Sequence, residues 1–263
     1  MGAEPVPVPA PLLEAKDFRF DVDHLSTLIS NKTKLIILNS PQNPTGGVLT
    51  EADLIEVSRL AIEHDLWVLT DEIYSRIIYN GAFHSIASIP GMKERTIILD
   101  GFSKTYAMTG WRLGYGVMNR GLADLTARLV TNSNSCTTTF VQYGGISALT
   151  GSQDFVHEMV EEFRARRDIV VSALRNMRGV TCREPSGAFY VFPNVTEACR
   201  NLGFTTAKEL QQHLLHEGVA VLPRTAFGSK NEGEQEEYLR LSYATSRENI
   251  RKGLELMKQV LEQ

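Results

Sequence analysis

Lys104 and Arg112, which lie eight residues apart, are the side chains of this sequence whose types and spacing point most directly to chemistry. Lys104 comes shortly after an apolar run that predicts a β-strand, so its amine would stand at the exit of that strand. A lysine amine can attack a carbonyl carbon, and the planar guanidinium of an arginine suits a phosphate group. Alone, each is more often a solvated surface charge. Together they indicate an amine and an anion clamp in one pocket.

Further polar side chains follow other predicted strands at equivalent places. Asn43 comes after the first strand, Asp71 after the second, and Ser103 with Lys104 after the third. Ligands of open α/β sheets bind beyond the carboxyl ends of the strands, so a parallel sheet would bring these side chains to one crevice. The three predicted strands are Lys34 to Asn39, Leu66 to Thr70 and Thr96 to Asp100.

Other interpretations of these residues stay open when each is taken alone. Asp71 could cap a helix after its strand. Tyr74, three residues later, can point the same way as Asp71, but it could equally be an interior tyrosine. Asn43 lies in the segment NSPQNPTGG, whose prolines and glycines alone indicate only a turn.

The order of predicted elements indicates an α/β fold with a mainly parallel sheet sandwiched by helices, followed by a smaller α+β domain. Strands buried on both faces appear as continuous apolar runs, as they do here. The stretch from Ser152 to about Arg178 has no proline and predicts one long helix. We therefore predict a larger domain over residues 1–165 and a small C-terminal domain over residues 166–263.

The composition argues against several classes of protein. The chain has 263 residues, of which 43% are hydrophobic, and a formal net charge of -4, which gives no general attraction to nucleic acid or anionic membranes. No apolar run approaches the ~18 residues of a membrane span. The 3 cysteines form no CxxC pair and the 6 histidines show no ligand spacing, so we expect neither a disulfide framework nor a metal site. A cytoplasmic location is the expectation.

Four segments resemble, one after another, successive blocks of the class I and II pyridoxal-phosphate (PLP) aminotransferases, which have fold type I. The segments are NSPQNPTGG, TDEIYSRIIY, GFSKTYAMTGWRLGY and YLRLSYATS. The resemblance implies PLP as cofactor, with Lys104 forming a Schiff base to it. It further implies cofactor contacts from Asn43, Asp71, Tyr74, Ser103 and Arg112, and a grip on the substrate α-carboxylate by Arg240 together with Asn43.

The chemistry of PLP gives three of these residues catalytic roles. Once an amino acid has displaced it, the amine of Lys104 is placed to move a proton between the substrate α-carbon and the cofactor. Asp71 would keep the ring nitrogen protonated, since a nearby carboxylate favours that charged form. The hydroxyl of Tyr74 would reach the phenolic oxygen. The aromatic residues of Phe189 to Phe192 are interpreted as core.

The sequence departs from the family pattern in three places. It begins at a segment that lies well inside the large domain in relatives, so roughly their first third has no counterpart here. Arg224 stands where relatives tend to have a glycine after Pro223, and an arginine would be strained there if the backbone needed a positive φ. The charged insert Ser229 to Glu237 is interpreted as a solvated loop.

The resemblance favours an aminotransferase that moves an amino group between an amino acid and a 2-oxo acid, as a homodimer. One alternative is a truncated fold-type I chain that keeps cofactor residues without turnover, as a binding or interaction protein or an incomplete gene product. Another is a different PLP enzyme of the same fold, such as a lyase, because such enzymes share the lysine and the aspartate. The sequence leaves the substrate pair open.

Overall fold

A computed structural model describes residues 4–231 and 233–263 of the chain. These residues form two compact units. The first contains residues 4–40, 48–73 and 83–150, and the second contains the rest of the described chain. The units do not test the predicted division into residues 1–165 and 166–263, which stays a prediction.

The first unit is built around a four-stranded sheet with helices in the connections. Its elements are β1 (Leu12–Leu13), β2 (Arg19–Phe20), α1 (Val22–Leu28), β3 (Leu35–Asn39), α2 (Glu51–Glu63), β4 (Trp67–Asp71), β5 (Thr96–Gly101), β6 (Gly114–Val117), α3 (Arg120–Ser133) and α4 (Thr139–Thr150). The sheet order is β3-β4-β5-β6, in which β3, β4 and β5 are parallel and β6 is antiparallel to β5. The predicted mainly parallel α/β class is confirmed.

The core of this unit lies between one face of the sheet and helix α2. Strand side chains alternate between faces, so Ile36 and Leu38 pack with Val57 and Leu60 of α2 in one buried cluster. On the opposite face Ile37 is 69% exposed. Helix α2 begins after Thr50, which forms a complete capping box with Asp53.

The second unit combines helices with a three-stranded antiparallel sheet of order β7-β9-β8. Its elements are α5 (Asp154–Arg175), β7 (Tyr190–Val191), α6 (Thr196–Asn201), α7 (Ala207–His216), β8 (Leu222–Pro223), β9 (Leu239–Ser242) and α8 (Arg247–Leu261). The long predicted helix is α5, and it packs against α8. Arg247 of α8 pairs with Glu162 of α5 at 2.5 Å across this contact.

Among the described residues, no helix is long and apolar enough to cross a lipid bilayer.

Candidate active site

Asp71, Ser103 and Lys104 come to one edge of the four-stranded sheet. Asp71 is the last residue of β4, and it lies opposite Leu99 of the parallel strand β5. Strand β5 ends two residues later, and Ser103 and Lys104 follow in the next turn. Because parallel strands end on the same side, all three residues lie at the carboxyl edge where α/β sheets bind ligands.

The turn that carries Lys104 is tied back to the end of β5. The backbone N–H of Tyr106 donates to the carbonyl of Phe102 at 3.2 Å, and the N–H of Ala107 donates to the carbonyl of Lys104 at 3.3 Å. Phe102 is 5% exposed and anchors the turn in the core. Lys104 itself is half-buried. The lysine backbone is therefore held while its long side chain keeps access to solvent.

Arg112 returns to the same edge because β6 runs antiparallel to β5. Gly101 pairs with Gly114, so Arg112, two residues earlier, lies beside the end of β5. Its backbone adopts φ 54°, and its Nη1 donates to the carbonyl of Thr109 at 2.8 Å. The guanidinium is exposed. A cavity of about 740 Å³ opens here, lined by Trp111, Arg112, Asn134, Ser135, Thr138 and Phe140 among others.

The carboxylate of Asp71 is partly fixed by its own turn. Its Oδ1 accepts a hydrogen bond from the N–H of Ile73 at 3.2 Å. The next residue, Glu72, points to the other side of the chain, is 6% exposed, and accepts from the hydroxyl of Ser85 at 2.7 Å. Burial raises the pKa of Glu72 despite that hydrogen bond, and the charges of Asp100 and Asp71 add to the rise.

A second group of predicted site residues lies in the second unit, around Arg240 of β9. The guanidinium Nη1 donates to Oδ1 of Asn43 at 3.1 Å. The ring centroids of Tyr190 and Phe227 lie 4.6 and 5.1 Å from its central carbon, so both aromatic faces attract the cation. The Nε–H of Arg240 is buried and has no hydrogen-bond partner among the described residues. No described carboxylate forms an ion pair with this arginine.

Tyr74 belongs to this second group. Its hydroxyl lies 2.8 Å from the hydroxyl of Tyr190, and its ring meets Phe189 edge-on with centroids 5.3 Å apart. Tyr74 is 3% exposed, so packing fixes its ring. The ring of Tyr190 and the amide of Asn43 thus contact Arg240, and Tyr74 is linked to this arginine through Tyr190.

The segment that carries Asn43 is pinned to a neighbouring loop of the second unit. The N–H of Gly46 donates to the carbonyl of Gln42 at 2.9 Å, and the N–H groups of Ser186 and Gly187 both donate to the carbonyl of Gly46, at 3.1 and 3.0 Å. Gly46 has φ 73°. The sequence segment that indicated only a turn is therefore a rigid support for Asn43.

A family model for class I and II aminotransferases matches residues 1–256. The chain belongs to this family. Aspartate aminotransferase of Pyrococcus abyssi is 41% identical over 263 residues, covering 99% of this chain and 65% of the relative. Aromatic-amino-acid aminotransferase 2 of Thermococcus litoralis is 40% identical and is covered to 65% as well. The aromatic aminotransferase structure from Pyrococcus horikoshii superposes with a TM-score of 0.90 at 41% identity, over 97% of this chain and 67% of that one.

The chain thus spans 65% of the length of these two relatives. Members of the family use PLP. The residues at the sheet edge fit that group by their chemistry, since they supply an amine, a carboxylate, a hydroxyl and a guanidinium on neighbouring turns. The residues concerned are Lys104, Asp71, Ser103 and Arg112.

The predicted site residues therefore fall into two groups. Four lie in the first unit, and Asn43, Tyr74 and Arg240 lie together in the second. Their individual roles stay predictions.

Two residues around Arg240 were not predicted as site residues. Tyr190 was interpreted as core, and at 6% exposure it is buried, but it also contacts Arg240 and Tyr74. It faces Arg240 because it pairs with Ser242, two residues along β9 on the same face. Phe227 reaches the arginine from a loop. Neither contact has a local signal in the sequence, because each depends on pairing of distant segments.

The concern about strain at Arg224 was wrong. Arg224 begins a short 3-10 helix (Arg224–Phe227) and has no positive φ, whereas Gly228 at its end has φ 121°. The glycine that this turn requires is therefore at position 228.

Proposed function

We propose that this aminotransferase chain moves an amino group between an amino acid and a 2-oxo acid with PLP as cofactor. The observation that carries the proposal is the register of β4, β5 and β6, which gathers an amine, a carboxylate and a guanidinium at one sheet edge. Family membership supplies the reaction class.

When bound, PLP supplies an aldehyde that condenses with amines and a ring that withdraws electrons from the substrate α-carbon. In our proposal Lys104 provides the amine and moves a proton at the α-carbon. The carboxylate of Asp71 would hold a proton on the ring nitrogen, because an adjacent negative charge favours the protonated form. Ser103 and Arg112 would bind the phosphate through a hydroxyl and a guanidinium. Tyr74 and Asn43 would donate hydrogen bonds to the phenolic oxygen.

Arg240 is the proposed binding residue for the substrate α-carboxylate. Its Nη1 is engaged by Asn43, which orients the guanidinium, and its buried Nε–H lacks a partner that a carboxylate oxygen would supply. A planar fork between two rings accepts a planar carboxylate in a fixed orientation. The relatives are named for aspartate and for aromatic amino acids, and we propose that the substrate comes from these two classes.

The first test follows cofactor binding to the purified chain. Added PLP should produce a visible absorbance that Lys104→Ala abolishes and that Lys93→Ala, which removes an exposed lysine of the same unit, leaves intact. Borohydride reduction followed by peptide mapping should attach the cofactor to Lys104. A chain that takes up no PLP, or that is labelled equally in both variants, would overturn the proposal.

The second test concerns Arg240. Arg240→Met should weaken substrate binding about 10- to 150-fold, since a charge-assisted hydrogen bond contributes roughly 1.5–3 kcal/mol, while the visible absorbance of bound PLP stays. Equal loss of PLP uptake and of substrate binding in this variant would contradict the division of roles.

Two alternatives make different predictions in the same assays, and the first is a chain that binds PLP without turnover. Amino acids would then leave the visible absorbance unchanged and release no 2-oxo acid. A lyase would consume the amino acid without needing a 2-oxo acid partner. Product analysis with and without an added 2-oxo acid separates all three candidates.

We also propose that the chain forms a homodimer. On α4, Phe140, Tyr143 and Ile146 are spaced by three residues and are 71, 68 and 56% exposed, which is the pattern of an interface helix. Sedimentation at several concentrations tests this, and a monomer throughout would refute it. The cytoplasmic location stays part of the proposal, supported by the 3 cysteines of the sequence, which form no CxxC pair.

A further inference from the structure

Arg224 and Glu234 close the loop that brings Phe227 to Arg240. The guanidinium Nε and Nη2 of Arg224 donate to the two carboxylate oxygens of Glu234 at 2.9 and 3.1 Å. The side chains are only 16 and 14% exposed, so this is a fork-to-fork pair largely shielded from water. We call it the Arg224–Glu234 clasp.

The clasp also holds the turn between its two residues. Arg224 Nη1 donates to the carbonyl of Gly228 at 3.1 Å, and Nη2 donates to the carbonyl of Ser229 at 3.2 Å. Glu234 in turn accepts from the backbone N–H and the side-chain amide of Asn231, at 2.9 and 3.0 Å. Burial raises the pKa of Glu234, but the Asn231 N–H and the Arg224 guanidinium outweigh burial and hold that pKa below its usual range. Glu234 is therefore ionised at neutral pH.

The loop is fixed at its far end as well. Lys230 pairs with Glu237 at 2.5 Å, and Glu237 accepts from the N–H of Ala207 at the start of α7 at 2.7 Å. Glu237 is 6% exposed. The charged insert is thus tied to the second unit by buried acids, and its interpretation as a solvated loop was wrong for Glu234 and Glu237.

Phe227 connects this loop to Arg240. It is the last residue of the 3-10 helix Arg224–Phe227, and Arg224 at the start of this helix also donates to the carbonyl of Gly228, which directly follows it. Its ring lies 5.1 Å from the Arg240 guanidinium carbon and meets Phe192 edge-on at 6.4 Å. A change in the turn would therefore move one of the two aromatic walls that confine the guanidinium.

We propose that the Arg224–Glu234 clasp positions Phe227 against Arg240 and thereby sets the affinity of this site for a carboxylate. The inference rests on the proposed function of Arg240. Arg224 and Glu234 act through Phe227, so they are positioning residues. The clasp supplies rigidity, because the guanidinium loses less freedom on binding a carboxylate when both rings already hold it.

The test compares Glu234→Ala, Arg224→Lys and Arg251→Met. Arg224→Lys keeps the charge and loses the fork, and Arg251→Met removes an exposed charge on α8 as a control. With PLP in excess, calorimetric titration with succinate should give dissociation constants raised about 3- to 10-fold for the first two variants and unchanged for the control. Amide exchange of Thr225 to Phe227 should accelerate in the same two variants.

Glu234→Ala and Arg224→Lys should raise KM with little change in kcat, because the clasp affects binding of the substrate carboxylate and not the reacting groups. The positioning role is overturned if Glu234→Ala binds succinate as tightly as the unaltered protein, or if Arg224→Lys does. Faster amide exchange with unchanged affinity also overturns it, since the clasp would then order only the loop. If the unaltered protein binds no succinate, the carboxylate site at Arg240 fails, and the role of the clasp fails with it.

Discussion

Gly46 supports the loop that carries Asn43, and its replacement by alanine should destabilise the second unit strongly. Its φ of 73° is a left-handed conformation that costs an L-residue roughly 1–2 kcal/mol. A Cβ at this position would lie 2.3 Å from Cβ of Pro185 and 2.9 Å from the carbonyl oxygen of Tyr190. Such overlaps force the backbone apart at about 1–3 kcal/mol. The expected loss for Gly46→Ala is therefore about 2–5 kcal/mol.

Gly81 provides a matched control in the same unit. Its φ of 76° is almost the same, but a Cβ there would have no atom within 4 Å. Gly81→Ala should therefore show the conformational cost alone, at about 1–2 kcal/mol, and the difference between the two variants measures the overlap. The assay is the free energy of unfolding in urea at matched slopes.

The reasoning fails if Gly46→Ala loses no more stability than Gly81→Ala. Since Gly46→Ala could be too unstable to purify, a second measurement keeps the argument testable. Pro185→Gly removes the nearest atom, so the double variant should be more stable than the sum of the single changes predicts. If the losses of unfolding free energy in the two single variants simply add in the double variant, the Cβ that Gly46→Ala introduces does not overlap with Pro185.

Two further predictions concern buried carboxyls of the first unit. Glu72→Gln should raise Tm at neutral pH. The pKa of Glu72 is raised in the folded protein, so the stability that its protonated form contributes is lost as the pH rises through that pKa. The Tm difference between Glu72→Gln and the unaltered protein should fade toward pH 4.5, and a difference that does not depend on pH would contradict the prediction. Asp53→Asn should lose about 1–3 kcal/mol, because Asp53 completes the helix cap and accepts two bonds from Arg19, at 2.9 and 2.8 Å. Burial raises the pKa of Asp53, but the hydrogen bonds from Arg19 and Thr50 outweigh burial and lower it overall. The difference in unfolding free energy between Asp53→Asn and the unaltered protein, measured in urea, should therefore persist at pH 7 and narrow as the pH falls below 3.8.

Local signals were sufficient for much of the fold. The Thr50 and Asp53 pair is a capping-box pattern at the start of α2, and Thr206 with Glu209 is the same pattern at the start of α7. Short apolar runs located β3, β4 and β5, because buried strands have few other compositions. Residue types at the ends of these strands then indicated where a ligand would lie.

Helix α4 shows where local signals fail. It was not predicted, and two adjacent glycines, Gly144 and Gly145, lower its intrinsic helix propensity. Tertiary packing explains both residues, since a Cβ at Gly144 would lie 2.7 Å from the Trp111 ring and one at Gly145 would lie 2.6 Å from the Leu113 side chain. Trp111 and Leu113 approach this helix so closely that only glycine fits at these two positions, although glycine has a low helix propensity.

The same reasoning explains why the surroundings of Arg240 were harder to predict than those of Lys104. Asp71, Lys104 and Arg112 lie next to the ends of three neighbouring strands, β4, β5 and β6, so the pairing of these strands alone brings them together. Arg240 depends on Asn43 and on Tyr190, which are distant in sequence and meet only through sheet pairing and a pinned loop. Arg224 forms its pair with Glu234 at a position where relatives tend to have a glycine. The arginine is tolerated there because Gly228, and not residue 224, has the positive φ. In our proposal, this departure at Arg224 changes the carboxylate affinity of Arg240 through Phe227 and leaves Lys104 and Asp71 unaltered.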